Sequence, residues 1–130
     1  MRQTGCVVTI EDVEQIIATL PAVEETVRYR HRTWTVGGKT FAWVRPIGKA
    51  DLRRLGDAKP PTGPIVAVTV ADLAEKEEVL AHGARGVFTI SHFDGYPAVL
   101  MQLDVISKRV ARELLVDGWR ACAPDDVAGR

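Results

Sequence analysis

A chain of 130 residues with 46% hydrophobic and 26% charged side chains is long enough for one packed core and too short for two domains. Its 17 basic and 17 acidic residues cancel, which removes any whole-molecule steering towards nucleic acid or an acidic membrane and makes every electrostatic argument local. Cys6 and Cys122 lie near opposite ends without metal or redox spacing and read as free buried thiols, while the opening MRQTGCVVTI lacks a signal-peptide pattern and no apolar run reaches about 18 residues; a cytoplasmic chain without a membrane partner is expected.

Thr9 with Asp12 three positions on forms a helix start, and Val13, Ile16, Ile17 and Leu20 repeat at helical spacing, so a first helix is predicted from about Ile10 to Thr19, ended by Pro21. Val27 to Pro46 then reads as one β-hairpin around Gly37-Gly38, a two-residue connection suited to positive φ. ADLRRL carries a short helical turn, and GDAKPPTGP breaks the pattern before PIVAVTV, an apolar β-branched run that reads as a buried strand. Leu73, Lys76, Glu77 and Leu80 mark a helix stopping at Gly83. GVFTISH and AVLMQLDVI flank an Asp94-Gly95 turn as a second hairpin, and a last helix from near Ser107 places Val110, Leu114, Leu115, Trp119 and Cys122 on one stripe before Pro124. The order α-β-β-β-α-β-β-α fits an α+β fold of two layers, an antiparallel sheet of about five strands with helices on one side.

The first hairpin is where the charge gathers. Between Val27 and Arg54 stand eight basic residues against Asp51 alone, while the acids collect around Glu11 to Glu25 and Asp72 to Glu78. Pairing Val36 with Lys39 would set Trp34 opposite Phe41, Arg32 opposite Trp43 and Arg30 opposite Arg45 on one face, with Tyr29, His31, Thr33, Thr35, Thr40, Ala42 and Val44 on the other. Two readings follow. Clustered guanidinium groups beside Trp34, Phe41 or Trp43 would neutralise phosphates and stack on bases, whereas a solvated strand face would use the same arginines for solubility.

Catalytic patterns are weak. Ser91 and His92, read as neighbours in a strand, point to opposite faces and make no nucleophile–base pair, so His92 is expected to brace its hairpin. His31 and His82 carry no ligand spacing, and Gly83-Ala84-Arg85-Gly86 leaves a helix where a phosphate loop would open one. Phe93 and Tyr96 are rings near a hairpin tip, and Val99, Met101 and Leu103 read as core. No catalytic residue, metal or cofactor is expected.

TWTVGGKTFAWV, HFDGYPAVLMQLD and ELLVDGWRACAP, in this order, resemble the MmcQ/YjbR-like family over nearly the whole chain. That resemblance implies a CyaY-like fold in a small intracellular bacterial protein, with a double-wing DNA-binding arrangement whose wings would be Val27 to Pro46 and Gly86 to Leu103. Asp125 and Asp126 follow Pro124 where relatives often carry Lys or Arg. The expectation is a non-enzymatic protein contacting DNA phosphates, without sequence preference, through Arg28, Arg30, Arg32, Lys39, Arg45, Arg53 and Arg54. The alternative is a small-molecule or protein-partner binding module with a pocket between the open sheet and the Ile47 to Gly63 loop, lined by Trp34, Trp43 or Tyr96 and one or two arginines. A frataxin-like metal role would need a ridge of acids that Glu11, Asp12 and Glu14 do not form.

Overall fold

The computed structural model describes residues 7–57 and 60–125; Cys6, Lys59 and Asp126 lie outside them. Helix α1 (Ile10–Ala18) begins as its sequence indicates, with the Thr9 hydroxyl accepting from Asp12 N at 3.1 Å and the Asp12 carboxylate accepting from Thr9 N at 3.0 Å. Strands β1 (Val23–Arg28), β2 (His31–Val36) and β3 (Lys39–Val44) follow, then α2 (Lys49–Leu55), β4 (Ile65–Thr69) and α3 (Leu73–His82). The short β5 (Val87–Phe88), a 3-10 turn (Ser91–Phe93), β6 (Ala98–Gln102) and α4 (Lys108–Cys122) complete the chain. All pairings are antiparallel, in the order β1-β2-β3-β4-β6-β5. This is the α+β architecture expected, widened to six strands.

The added strand is β1. It pairs with β2 from Val23 opposite Val36 to Arg28 opposite His31, and the connection is the two-residue turn Tyr29-Arg30. The sequence from Val27 to Pro46 is therefore the end of one strand and two more, with β2 and β3 each flanked on both sides. Likewise GVFTISH is strand only at Val87–Phe88, after which Ser91–Phe93 coils into a 3-10 turn, so Ser91 and His92 are not strand neighbours.

A bulge corrects the expected register. Val36 pairs with Lys39 and Thr35 with Thr40 as the glycine turn dictates, but Trp34 then pairs with Ala42 and Thr33 with Trp43. The extra residue in β3 is Phe41. Because side chains alternate with period two, one inserted residue exchanges the faces of everything beyond it. Phe41 and Ala42 both become fully buried beside Trp34, and Trp43 moves to the opposite face, across from Thr33 instead of Arg32.

The sheet thus has two apolar faces. Against α1 and α4 lie Val13, Ile16, Trp34, Phe41, Leu115 and Trp119 together with Val66, Val68, Val99 and Met101 from the central strands. Trp119 Nε1 donates to Pro21 O at 3.0 Å, tying α4 to the exit of α1. The other face carries Ile65, Ala67 and Leu100, covered by Ile90 and Phe93 with Trp43, Ile47 and Phe88 around them. Strand β4 feeds both clusters, which is why its sequence is continuously apolar.

Candidate ligand-binding cavity

On the face away from α1 and α4 the strands leave an open cavity of about 650 Å³. Its floor is made by Thr33, Thr40 and Trp43, one end by Arg28, Tyr29 and His31, and the far wall by Arg45, Pro46 and Gly48 with His92, Phe93 and Tyr96. The bulge at Phe41 is what delivers Trp43 to this floor.

Phe93 is the centre of a ring cluster. Its centroid lies 6.2 Å from Trp43, edge-on at 80°, 5.3 Å from His92, edge-on at 76°, and 6.0 Å from Tyr96, stacked at 30°. Phe93 is 6% exposed and Tyr96 49%, so the cluster runs from the core to an open rim. Lys76 of α3 secures this wall from behind. It is buried, and its Nζ donates to Phe93 O at 2.5 Å and Tyr96 O at 2.8 Å. Burial lowers the amine's pKa, while nearby Asp94 acts in the opposite direction.

The two arginines of the cavity differ electrically. Arg45 lies 5.5 Å over the Phe93 ring and donates to the Asp51 carboxylate at 2.9 Å, so its charge is matched. Asp51, 4% exposed, also accepts from Gly48 N at 3.0 Å and so caps the start of α2. Burial alone would raise its pKa, but the Arg45 guanidinium and the Gly48 amide outweigh it and hold the carboxyl below its ordinary range. Arg28 donates to Thr40 Oγ1 at 3.1 Å and has no carboxylate partner among the described residues. Among the described residues no aspartate or glutamate lines the cavity, whose ionisable side chains are arginine, histidine and tyrosine. Such a lining favours an anion, and the rings favour a flat apolar body.

The seven basic residues expected at a phosphate surface do not converge. Arg28 is on the cavity, and Arg30 sits exposed in the turn beside it. Arg32 is on the other face, 5.2 Å over Trp34, with hydrogen bonds to Glu14 at 2.6 Å and to Glu25 at 2.9 and 3.0 Å. Those contacts raise its pKa and draw both carboxyls below their usual range. Lys39 is exposed at the start of β3, at the opposite end from Arg45, and Arg53 and Arg54 are exposed in the last turn of α2. Among the three expected rings, Trp43 and Tyr96 line the cavity, whereas Trp34 is 2% exposed in the helix-side core. The sequence reading missed Asp51 as the partner of Arg45 and Lys76 as the support of the ring wall. The only signal for either was an unmatched acid or amine within an otherwise ordinary helix.

An open antiparallel sheet with α1 and α4 packed on one face and a ring-lined hollow on the other defines the class: a small α+β protein of the kind its sequence resembles. The chain belongs to the YjbR family, whose model matches residues 18–121, from the end of α1 through nearly all of α4. It is 40% identical over 121 residues to the uncharacterized protein Rv2570 of Mycobacterium tuberculosis, covering 92% of both chains. The uncharacterized protein Mb2600 of Mycobacterium bovis matches with the same identity and coverage. No solved structure gives a significant match. Neither the family nor these relatives brings a named catalytic activity. Among the described residues no group of three or more His, Cys, Asp or Glu is placed to hold a metal ion, and no helix is long and apolar enough to cross a membrane.

Proposed function

We propose that this chain is a binding module for a small anionic ligand with a flat apolar ring. The observation that carries the reading is the cavity itself: about 650 Å³, the Trp43 and Tyr96 rings each packed on Phe93, and, among the described residues, an arginine without a carboxylate partner and no acid in the lining. That volume lies within the range of small-molecule sites, roughly 300–1,000 Å³. The ring of the ligand would lie against Tyr96, Phe93 and Trp43, and its acidic group would meet Arg28 with Thr40 and His31 nearby. Titration calorimetry with 1-naphthoate and phenyl phosphate tests this against acetate, inorganic phosphate and the neutral 1-naphthalenemethanol. Ring-bearing acids should bind and the others should not. No heat from either ring acid at about 1 mM, the ~4 kcal/mol level, rejects the reading.

A second reading, contact with DNA phosphates, draws on the exposed Arg28, Arg30, Arg53 and Arg54, none of which has a carboxylate partner among the described residues. Four such contacts would give log affinity a slope of about −3 to −4 against log salt. Duplex binding measured at two salt concentrations decides it, and salt-insensitive binding, or none at low salt, removes it.

A further inference from the structure

The turn between β1 and β2 is built from residues that turns of its kind avoid. Tyr29 has φ 52° and Arg30 φ 70°, so both central positions of a two-residue hairpin turn are left-handed. Asparagine and glycine suit those positions, and the next turn of the same sheet uses Gly37 and Gly38, at φ 59° and 80°. A bulky side chain there is strained. The strain is not offset by packing, because Tyr29 is 93% exposed and its ring touches no other ring among the described residues. Yet Tyr29 stands at the cavity mouth, between Arg28 and His31 in sequence and beside them in the lining. Left-handed backbone at a functional cleft is a recognised place for strain to be held.

We propose that Tyr29 is the closing residue of the cavity. Its ring turns down onto the bound ligand, so that a flat ring is held between Tyr29 above and the Phe93–Tyr96 wall below, with the acidic group at Arg28. The inference rests on the ligand-binding reading and deepens it: the site selects aromatic over saturated rings, because only a flat π system fits between two stacking faces. Arg30, the second strained position, keeps the turn stiff and aims the tyrosine.

Four proteins and two probes test it: wild type, Tyr29→Phe, Tyr29→Ala, and Tyr29→Asn combined with Arg30→Gly, each titrated with 1-naphthoate and its saturated decahydro counterpart. For 1-naphthoate, Tyr29→Ala should weaken binding by about 5- to 100-fold, the range of one lost stacking contact, and Tyr29→Phe should bind as wild type. The saturated acid should bind weakly and equally to all four. The double variant should lose the same affinity while melting about 4–8 °C higher, as relaxed backbone requires. If wild type binds 1-naphthoate and Tyr29→Ala matches it, the closing role is wrong and the cavity reading stands. Loss in Tyr29→Phe equal to that in Tyr29→Ala also overturns it, since the ring would then not be the contact. A double variant no more stable than wild type removes the strain argument and the proposal with it. Absence of binding by wild type ends both readings.

Discussion

Replacing Asp51 with asparagine separates the two roles of the Arg45–Asp51 pair, which supports the fold and masks a charge at the cavity. Asparagine keeps the size and still accepts from Gly48 N, which Asp51 now does at 3.0 Å, but it leaves Arg45 without its counterion at 2.9 Å. Truncating one partner of a buried pair costs about 3–5 kcal/mol. Here Arg45 keeps 20% of its side-chain surface and its bond to Pro46 O, so about 2 kcal/mol is expected. With about 2.1 cal/mol/K of unfolding entropy per residue, that lowers the melting temperature by roughly 7 °C. The unmasked guanidinium acts on an anion in the cavity with about 3 kcal/mol at 5 Å and an effective dielectric near 20; screening leaves about 1 kcal/mol, or roughly fivefold tighter binding. Acid supplies an internal control. The folded Asp51 carboxyl titrates below its ordinary 3.8, so its stabilisation is present above that range and is lost as pH falls through the folded value. Wild type and variant should therefore converge in melting temperature once pH has fallen through that folded value. Calorimetric melting and 1-naphthoate titration read both effects, and a variant as stable as wild type at pH 7, or one that binds the acid more weakly, refutes the reasoning.

Three further outcomes follow from the geometry. Tyr96→Ala removes a ring that is 49% exposed, so melting should change by no more than about 0.5 kcal/mol while affinity for ring acids falls about tenfold; equal affinity in the two proteins would place the ligand elsewhere. Arg32→Ala should flatten the acid side of the stability profile, because hydrogen bonds from Arg32 are the chief reason Glu14 and Glu25 titrate below their ordinary 4.5; their contribution exists above that value and disappears as pH falls through the folded pKa values, so a variant with an unchanged acid-unfolding curve contradicts the ion-pair account. Gly86→Ala would put a Cβ 2.6 Å from Ile106 N at φ 87°, and urea unfolding should show a loss of about 2 kcal/mol or more, a smaller loss meaning that the backbone there yields easily.

What the sequence made legible was whatever depends on neighbours in the chain. Thr9 with Asp12, Gly83 and Ser107 mark helix ends with local hydrogen bonds, and all three helices begin and stop within a residue or two of those marks. Strand β1 escaped because five of its six residues are exposed and its turn is Tyr-Arg, which has no turn signature. The bulge escaped because its cause is three-dimensional: two consecutive residues, Phe41 and Ala42, both find room against the helices, and no alternation rule predicts that. The charged side chains were hardest to place. Arg32 is neutralised by Glu14, 18 positions away on α1, and Arg45 by an aspartate that the charge census of its own segment had treated as a minority of one. Trp43 and Tyr96, two of the three rings expected to line a pocket, do line the cavity; Trp34, three residues before the turn glycine, looked the same in one dimension and is core in three.

The bond from Lys76 to the carbonyls of Phe93 and Tyr96 also has a dynamic meaning. Lys76 is the one residue of α3 that is buried, so this helix is held to the body of the protein more lightly than α1 or α4, and its opening requires little apolar surface to be exposed. Each such opening withdraws the amine from both carbonyls and leaves the ring-bearing turn without its anchor. The aromatic wall and the helix behind it should therefore exchange as a single cooperative unit in native-state hydrogen exchange, with amides from 91 to 96 protected no better than those of α3. A ligand resting on those rings would slow exchange along the outer face of α3, a segment it never touches.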